Sequence, residues 1–352
     1  MPIKVFDFFS GCGGTCRGFL NAGMDIVLGL DNDPDAAKTF RRNFSGTYFL
    51  QEDIHNTSCS SLQHLIDLCT GYPILFSGCA PCQPFTKQKT THRPDDERQT
   101  LLDEFLRFVE YYNVEFVFIE NVPGLQSFND SEGPFGRFTQ SLSRLGYYTK
   151  FDVIASQRYG VPQIRKRLIL IASRLGPIDF PTQTHGSTGT HEYSKVRDWI
   201  EDLPPISAGE CNDTVPNHRA AALSNTNLKR IRALKVGQDR TLWPKRLRLD
   251  CHSNGYKGHT DVYGRMRWDA PATGLTTRCI SLSNGRFGHP EQDRAISVRE
   301  AACLQTFPRD FVFEGSLNAM ARQIGNAVPV LLAEQFGRHF MHHLNKYQEI
   351  RG

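Results

Sequence analysis

Along the first half of the chain, short apolar runs alternate with amphipathic stretches: KVFDFF, IVLGL, TYFL, PILFS, FVFIE, YYTKFDVIA and RLILIA, with helical patterns between most of them. This alternation predicts an α/β domain on a doubly wound, mostly parallel sheet. After Gly176 the pattern dissolves into a stretch rich in Pro, Gly, Thr, Ser, His and Asn, which predicts a smaller, irregular second domain. Apolar residues recur at helical spacing in SVREAACLQTF and VPVLLAEQFGRHFMHHL. The expected organisation is a main domain over 1–180, a second domain over 181–300, and a segment over 301–352 that returns to the first.

Composition adds little to this picture, since 39% hydrophobic and 22% charged residues over 352 positions are ordinary for a folded chain. The N-terminus lacks the basic start, long apolar core and cleavage site of an export signal, and no apolar stretch approaches the length of a membrane span. A location in the cytoplasm is expected. Ten scattered cysteines in a chain too long to need a disulfide framework are read as thiols. The net charge of +4 is mild, but twelve Lys or Arg stand against three Asp between Asn217 and Arg267. Such a local excess suits a polyanion.

Gly11, Gly13 and Gly14 directly follow an apolar strand and precede a helix, where glycine lets the backbone approach a ligand closely. Asp31 ends the next strand, at the place where a doubly wound nucleotide site keeps a carboxylate for the ribose hydroxyls. Alone, this loop fits a nicotinamide dehydrogenase nearly as well as a methyltransferase, and also a plain strand-to-helix turn. Asp53, at the end of the third strand, is placed for an adenine amino group if the ligand is an adenosine, or for a helix N-cap.

The fourth run leads into ILFSGCAPCQPFT, which puts Cys82 just beyond the carboxyl end of a strand. Gly78, Pro81 and Pro84 make a stiff turn that holds the thiol outward, as a nucleophile requires. Cys79 and Cys82 also have the spacing of a redox dithiol or half a zinc site, and a buried, inert cysteine is a further reading.

Phe9-Ser-Gly-Cys-Gly-Gly14, Pro81-Cys82-Gln83-Pro84-Phe85, Glu120-Asn121-Val122, Gln163-Ile-Arg165-Lys-Arg167 and Gly325-Asn-Ala-Val-Pro329 occur in the order seen in cytosine-5 DNA methyltransferases, and the chain resembles that family from about Lys4 to Ile171 and from about Gly264 to Leu332. The resemblance implies a fold that binds S-adenosylmethionine and releases S-adenosylhomocysteine. It implies that Cys82 adds to carbon 6 of cytosine, because carbon 5 alone is a poor nucleophile. It assigns Glu120 to protonating ring nitrogen 3, a task that partial burial at the end of FVFIE would favour. Arg167 would contact the cytosine oxygen and Arg165 would assist the pocket and the DNA backbone; two apart on a strand, both side chains leave one face.

By the same resemblance Phe9, Gly11, Cys12, Gly13, Gly14, Asp31, Asn32, Asp53, Ile54 and Pro81 line the cofactor, joined by Asn326 and Val328 from near the C-terminus. A cytosine within duplex DNA must be flipped to reach Cys82. The basic region becomes the target-recognition domain, with Gln83, Thr86, Gln163, Arg240 and Arg278 as DNA-contacting candidates. The expected partner is double-stranded DNA; the resemblance suits either a methylase paired with a cognate restriction endonuclease acting on the same site or a solitary methylase of a prokaryotic cell, and the expected state is monomeric. The chain departs from the family at Gly78-Cys79-Ala80 and at Thr86. The Gln-Pro-Phe-Thr ending also resembles relatives that methylate transfer RNA, and a catalytically dead DNA-binding relative is the rival of another class.

Overall fold

The computed structural model describes residues 1–81, 100–127, 132–252 and 258–351, which form two compact units. Met1–Ala155, Lys166–Thr182 and Leu332–Gly352 make the first, and Ser156–Arg165 with Gln183–Leu331 make the second.

In the first unit the elements run β1 (Lys4–Phe8), α1 (Gly14–Asn21), β2 (Asp25–Leu30), α2 (Pro34–Asn43), β3 (Tyr48–Leu50), α3 (Gln63–Asp67), β4 (Ile74–Gly78), α4 (Leu101–Tyr112), β5 (Phe116–Asn121), α5 (Pro134–Arg144) and β6 (Tyr148–Ala155). After β7 (Gln163–Ile164), which belongs to the second unit, the chain returns as β8 (Lys166–Ser173). Each of the seven apolar runs has become one strand of a seven-stranded sheet ordered β3-β2-β1-β4-β5-β8-β6. All pairings are parallel except those of β8, which runs antiparallel to both β5 and β6. The doubly wound, mostly parallel sheet expected from the sequence is therefore present. Its order reverses between β1 and β4, where such sheets leave a crevice at their carboxyl ends.

β4 and β5 are buried at every residue because helices cover both faces. On one face Phe8 meets Phe76, Phe105 and Phe108 at ring centroid distances of 5.2, 5.3 and 4.9 Å. α4 supplies this contact through Leu101, Leu102, Phe105, Leu106, Phe108 and Val109, the spacing of one helical stripe. On the other face Phe116 and Phe118, two apart on β5, project together toward the end of the chain. There the last helix, starting at Val330, packs Phe340 on Phe116 at 5.3 Å and Phe336 on Phe118 at 5.7 Å.

The second unit has little regular structure. It contains α6 (Arg197–Ile200), α7 (Asn225–Arg232), β9 (Ala272–Thr273) paired with β7, α8 (Val298–Leu304) and α9 (Leu317–Asn326), and α10 (Val330–Arg351) begins in it. An irregular chain leaves many carbonyls outside ladders, and these must still be bonded when buried. Buried arginines do this. Arg265 donates to the carbonyls of Ile231, Leu234, His289 and Gln292, and Arg299 to those of Pro216, Pro308 and Phe311. Arg294 forks onto Glu300 with both bonds at 2.7 Å. Among the described residues no helix is long and apolar enough to cross a membrane.

Beside that fork lies His289, whose Nδ1 accepts the N–H groups of Glu291 and Gln292 and whose Nε2 stands 3.6 Å from Glu300. Burial pushes its pKa down to about 4; Glu300 pulls upward and Arg294 adds to the depression. The unfolded chain therefore takes up this proton first as pH falls below the ordinary histidine value, and the folded state loses stability between about pH 6.5 and 4, by on the order of 3 kcal/mol. His289→Gln, which keeps an acceptor, should flatten that slope in urea melts recorded across this range; an unchanged slope would remove His289 as its source.

Candidate active site

β1 ends at Phe8, and the chain then turns sharply. Phe9 has φ +61°, a left-handed conformation that a bulky residue adopts only under constraint, and Gly11 and Gly13 follow at +52° and +94°. The two glycines have different reasons. A Cβ on Gly13 would stand 2.4 Å from the Phe44 ring, whereas a Cβ on Gly11 would meet nothing within 4 Å. Gly13 is a packing requirement; Gly11 keeps an open face.

Asp31, just past β2, accepts the Gly11 N–H and the Asp33 N–H, both at 2.8 Å, and burial pushes its pKa up. Its neighbour Asn32 donates to Asp53 at 3.1 Å. Asp53 in turn accepts the backbone N–H of His55 at 3.0 Å and contacts its ring nitrogen at 2.7 Å, capping a short 3₁₀ turn over Ile54–Asn56. Burial alone would raise the Asp53 pKa, but the His55 N–H, the His55 ring and the Asn32 amide outweigh it and hold it low. Ile54 and Cys12 are buried, and burial pushes the Cys12 thiol up to about 12. Hydrogen bonds thus join the glycine turn and the ends of β2 and β3, as the sequence positions of Asp31 and Asp53 suggested.

At the end of β4 a Cβ on Gly78 would stand 2.6 Å from the Phe105 ring, so glycine there serves packing. Cys79, Ala80 and Pro81 follow; Cys82, Gln83 and Thr86 lie outside the described residues. Two contacts fix the approach to Cys82. Asn121 donates its side-chain amide to the Ala80 carbonyl at 3.2 Å, and the Cys79 sulfur takes the backbone N–H of Glu120. Loss of solvation pushes the Cys79 pKa far up, so this sulfur stays a thiol.

Glu120 is 7% exposed, and Arg167 Nε lies 2.8 Å from its carboxylate. The pair follows from register: antiparallel β8 sets Leu168 opposite Asn121, so Arg167, one residue earlier, reaches back to Glu120. Arg165 is placed differently from the expectation that it would share a strand face with Arg167. β7 stops at Ile164 and β8 starts at Lys166, in different sheets, so alternation does not carry across Arg165. Its guanidinium donates to the carbonyls of Leu275 at 2.8 Å and Gly325 at 3.0 Å.

Among the DNA-contacting candidates, Gln163 is fully buried and Arg240 is 6% exposed, donating to the carbonyls of Gly258 and His259; Arg278 is exposed. Asn326 is exposed and Val328 buried. Sequence reasoning gave no task to Asn121, though it stood beside Glu120 in the motif, and did not find Gln305, which no motif or spacing marks.

Comparison with known proteins agrees with this arrangement. The model of the C-5 cytosine-specific DNA methylase family matches residues 3–342. Type II methylase M.HgiDII of Herpetosiphon aurantiacus is 38% identical over 100% of this chain and 99% of its own length. Type II methyltransferase M1.HphI of Haemophilus parahaemolyticus is 35% identical over 95% of this chain and 85% of its own. A solved putative DNA modification methyltransferase encoded within an E. coli prophage has the same fold, with a TM-score of 0.75 at 22% identity, covering 97% of this chain and 99% of that one.

The two reasons for glycine in the turn separate by substitution. Gly11→Ala has room and should cost about 1 kcal/mol for its left-handed backbone, whereas Gly13→Ala adds a clash and should cost about 2–4 kcal/mol. Denaturant melts of the two variants check this; equal losses would contradict the packing reading of Gly13.

Proposed function

Because the chain belongs to the C-5 cytosine-specific DNA methylase family and is a DNA cytosine-5 methyltransferase, we propose that it uses S-adenosylmethionine and a covalent Cys82 adduct to methylate a cytosine flipped out of a specific duplex sequence. The single observation that carries this reading is the tie between Asn121 and the Ala80 carbonyl. It holds the residue two before Cys82 against the strand end that bears Glu120.

The residues of the first glycine turn fit the cofactor. The open face of Gly11 leaves room for a ligand at the backbone, Asp31 has lone pairs beyond those used by two N–H groups, and Asp53 stands polar and half-buried beside Asn32. Phe9, Cys12, Gly13, Gly14, Ile54 and Pro81 complete that set, and the resemblance adds Asn326 and Val328. The sulfonium supplies an electrophilic methyl group; everything else falls to the protein.

Cys82 as thiolate adds to carbon 6, which places electron density at carbon 5. Glu120 delivers a proton to ring nitrogen 3, and this makes carbon 6 a better acceptor. Arg167 orients the Glu120 carboxyl and stands ready for the cytosine oxygen. Carbon 5 takes up the methyl group, after which loss of the carbon 5 proton expels Cys82, ring nitrogen 3 gives back its proton, and the ring is restored. The segment 181–300 acts as the recognition domain, with Arg278 the exposed member of the described candidates. Gln83 and Thr86 remain assigned to DNA and Arg165 to supporting the pocket; Gln163 and Arg240, expected to contact DNA, are buried and are reassigned, Gln163 to its bonds with Gln305 and Leu275 and Arg240 to holding its own domain. The two Type II relatives suggest a modification enzyme that works in a prokaryotic cytoplasm, protecting the site of a cognate endonuclease.

A duplex carrying 5-fluorocytosine at the target position, with cofactor present, should trap wild-type protein as a denaturation-resistant complex and should not trap Cys82→Ala; equal trapping by both would refute the nucleophile. Glu120→Gln should lower the methylation rate by about 10²–10⁴-fold with duplex binding retained, as removal of a proton-transfer group does. Bisulfite sequencing of DNA from an expressing host reports the target site.

A further inference from the structure

Asn326 is exposed, yet the backbone around it is held on both sides by buried side chains of the second unit. The Gln305 amide nitrogen donates to the Ile324 carbonyl at 2.7 Å and the Ala327 carbonyl at 3.0 Å. Arg165 takes the Gly325 carbonyl between them at 3.0 Å. The Gln305 amide oxygen accepts from Gln163 Nε2 at 2.8 Å, and the Gln163 oxygen accepts the Leu275 N–H at 2.8 Å. Both glutamines are 0% exposed. Gly325 rests directly on this layer, since a Cβ there would stand 2.3 Å from the Thr276 carbonyl oxygen.

The chain is bent to make the arrangement possible. Thr306, β-branched, has φ +63°, a strained conformation that persists only where its surroundings impose it. Its hydroxyl donates to the Gln305 carbonyl at 2.7 Å and accepts the Leu331 N–H at 2.8 Å. The Gln305 carbonyl also accepts the Val330 N–H at 3.1 Å.

We propose that Gln305 is a positioning residue: its amide nitrogen clamps the two carbonyls that flank Asn326, and its amide oxygen holds Gln163, whose own oxygen takes the Leu275 N–H. Its functional consequence rests on the assignment of Asn326 to the cofactor. Only a group that offers both a donor and an acceptor meets the site. Leucine would remove the donor shared by the Ile324 and Ala327 carbonyls and leave the Gln163 amide with the longer bond to the Leu304 carbonyl at 3.4 Å. An ionised glutamate would set a negative oxygen against two carbonyl oxygens, whereas a protonated one restores a donor. The charged group in the network is Arg165, which also approaches the Gln163 oxygen at 3.4 Å and stays protonated at any working pH.

The test is affinity for S-adenosylhomocysteine, measured by calorimetry on the full chain together with hydrogen exchange over 324–328. Relative to wild type, Gln305→Glu should bind within about threefold near pH 6 and about tenfold or more weakly near pH 8.5, with exchange over 324–328 rising in step. Gln305→Leu should be weakened at both. A glutamate variant that tracks wild type at every pH, in affinity and in exchange, would overturn the proposal. Asn326→Ala separates the two ideas. If it leaves affinity unchanged, the cofactor assignment fails and the clamp stands or falls on exchange in Gln305→Glu alone, where pH-dependent protection supports it and flat protection overturns it.

Discussion

Parallel pairing is the constraint on which the first unit depends. Strands that run the same way end at the same edge, so the segments after β1, β2, β3, β4 and β5 all emerge together. Phe9–Gly14, Asp31, Asp53, Cys79–Pro81 and Glu120 are far apart in sequence and are neighbours for this reason alone. The one antiparallel strand contributes its amino end to the same edge, which is how Arg167 meets Glu120. Reversal of strand order between β1 and β4 then decides where along that edge a ligand has room.

Much of this was legible in the sequence because each cause is local. Seven apolar runs became seven strands, since burial on both faces leaves a continuous hydrophobic signature. Asp31 and Asp53 follow strand ends as expected; Asp31 accepts the Gly11 N–H, and Asp53, bonded by Asn32, also caps the short turn after it, the alternative that its position left open. What was not legible depends on long-range partners. That Arg165 and Arg167 part company follows from a strand break whose two halves pair with different sheets. Gln305 carries no periodicity, lies in an ordinary helical end, and acquires its task from Gln163 and Ala327, which are 142 and 22 residues away.

The basic stretch between Asn217 and Arg267 illustrates the same limit for charge. A count treats every arginine alike, but Arg240 and Arg265 are buried and spend their guanidinium groups on carbonyls of their own unit. A planar group with five donors is well suited to a chain that makes few ladders, so part of the positive charge is structural cement rather than a surface for a polyanion. Exposure, not sign, separates the two uses.

The last helix gives the molecule an order of assembly. Phe116 and Phe118 lie in the middle of the first unit, but two of the aromatic rings that cover them, Phe336 and Phe340, are translated only after the whole of the second unit. Chain growth from the N-terminus therefore leaves this face of the central sheet covered only in part, by Phe19 of α1 on Phe118, until the second unit and the helix after it have been made. A nascent chain interrupted anywhere before that helix presents Phe116 bare of Phe340 and Phe118 with Phe19 alone. Maturation of the first unit is thereby tied to synthesis of the second.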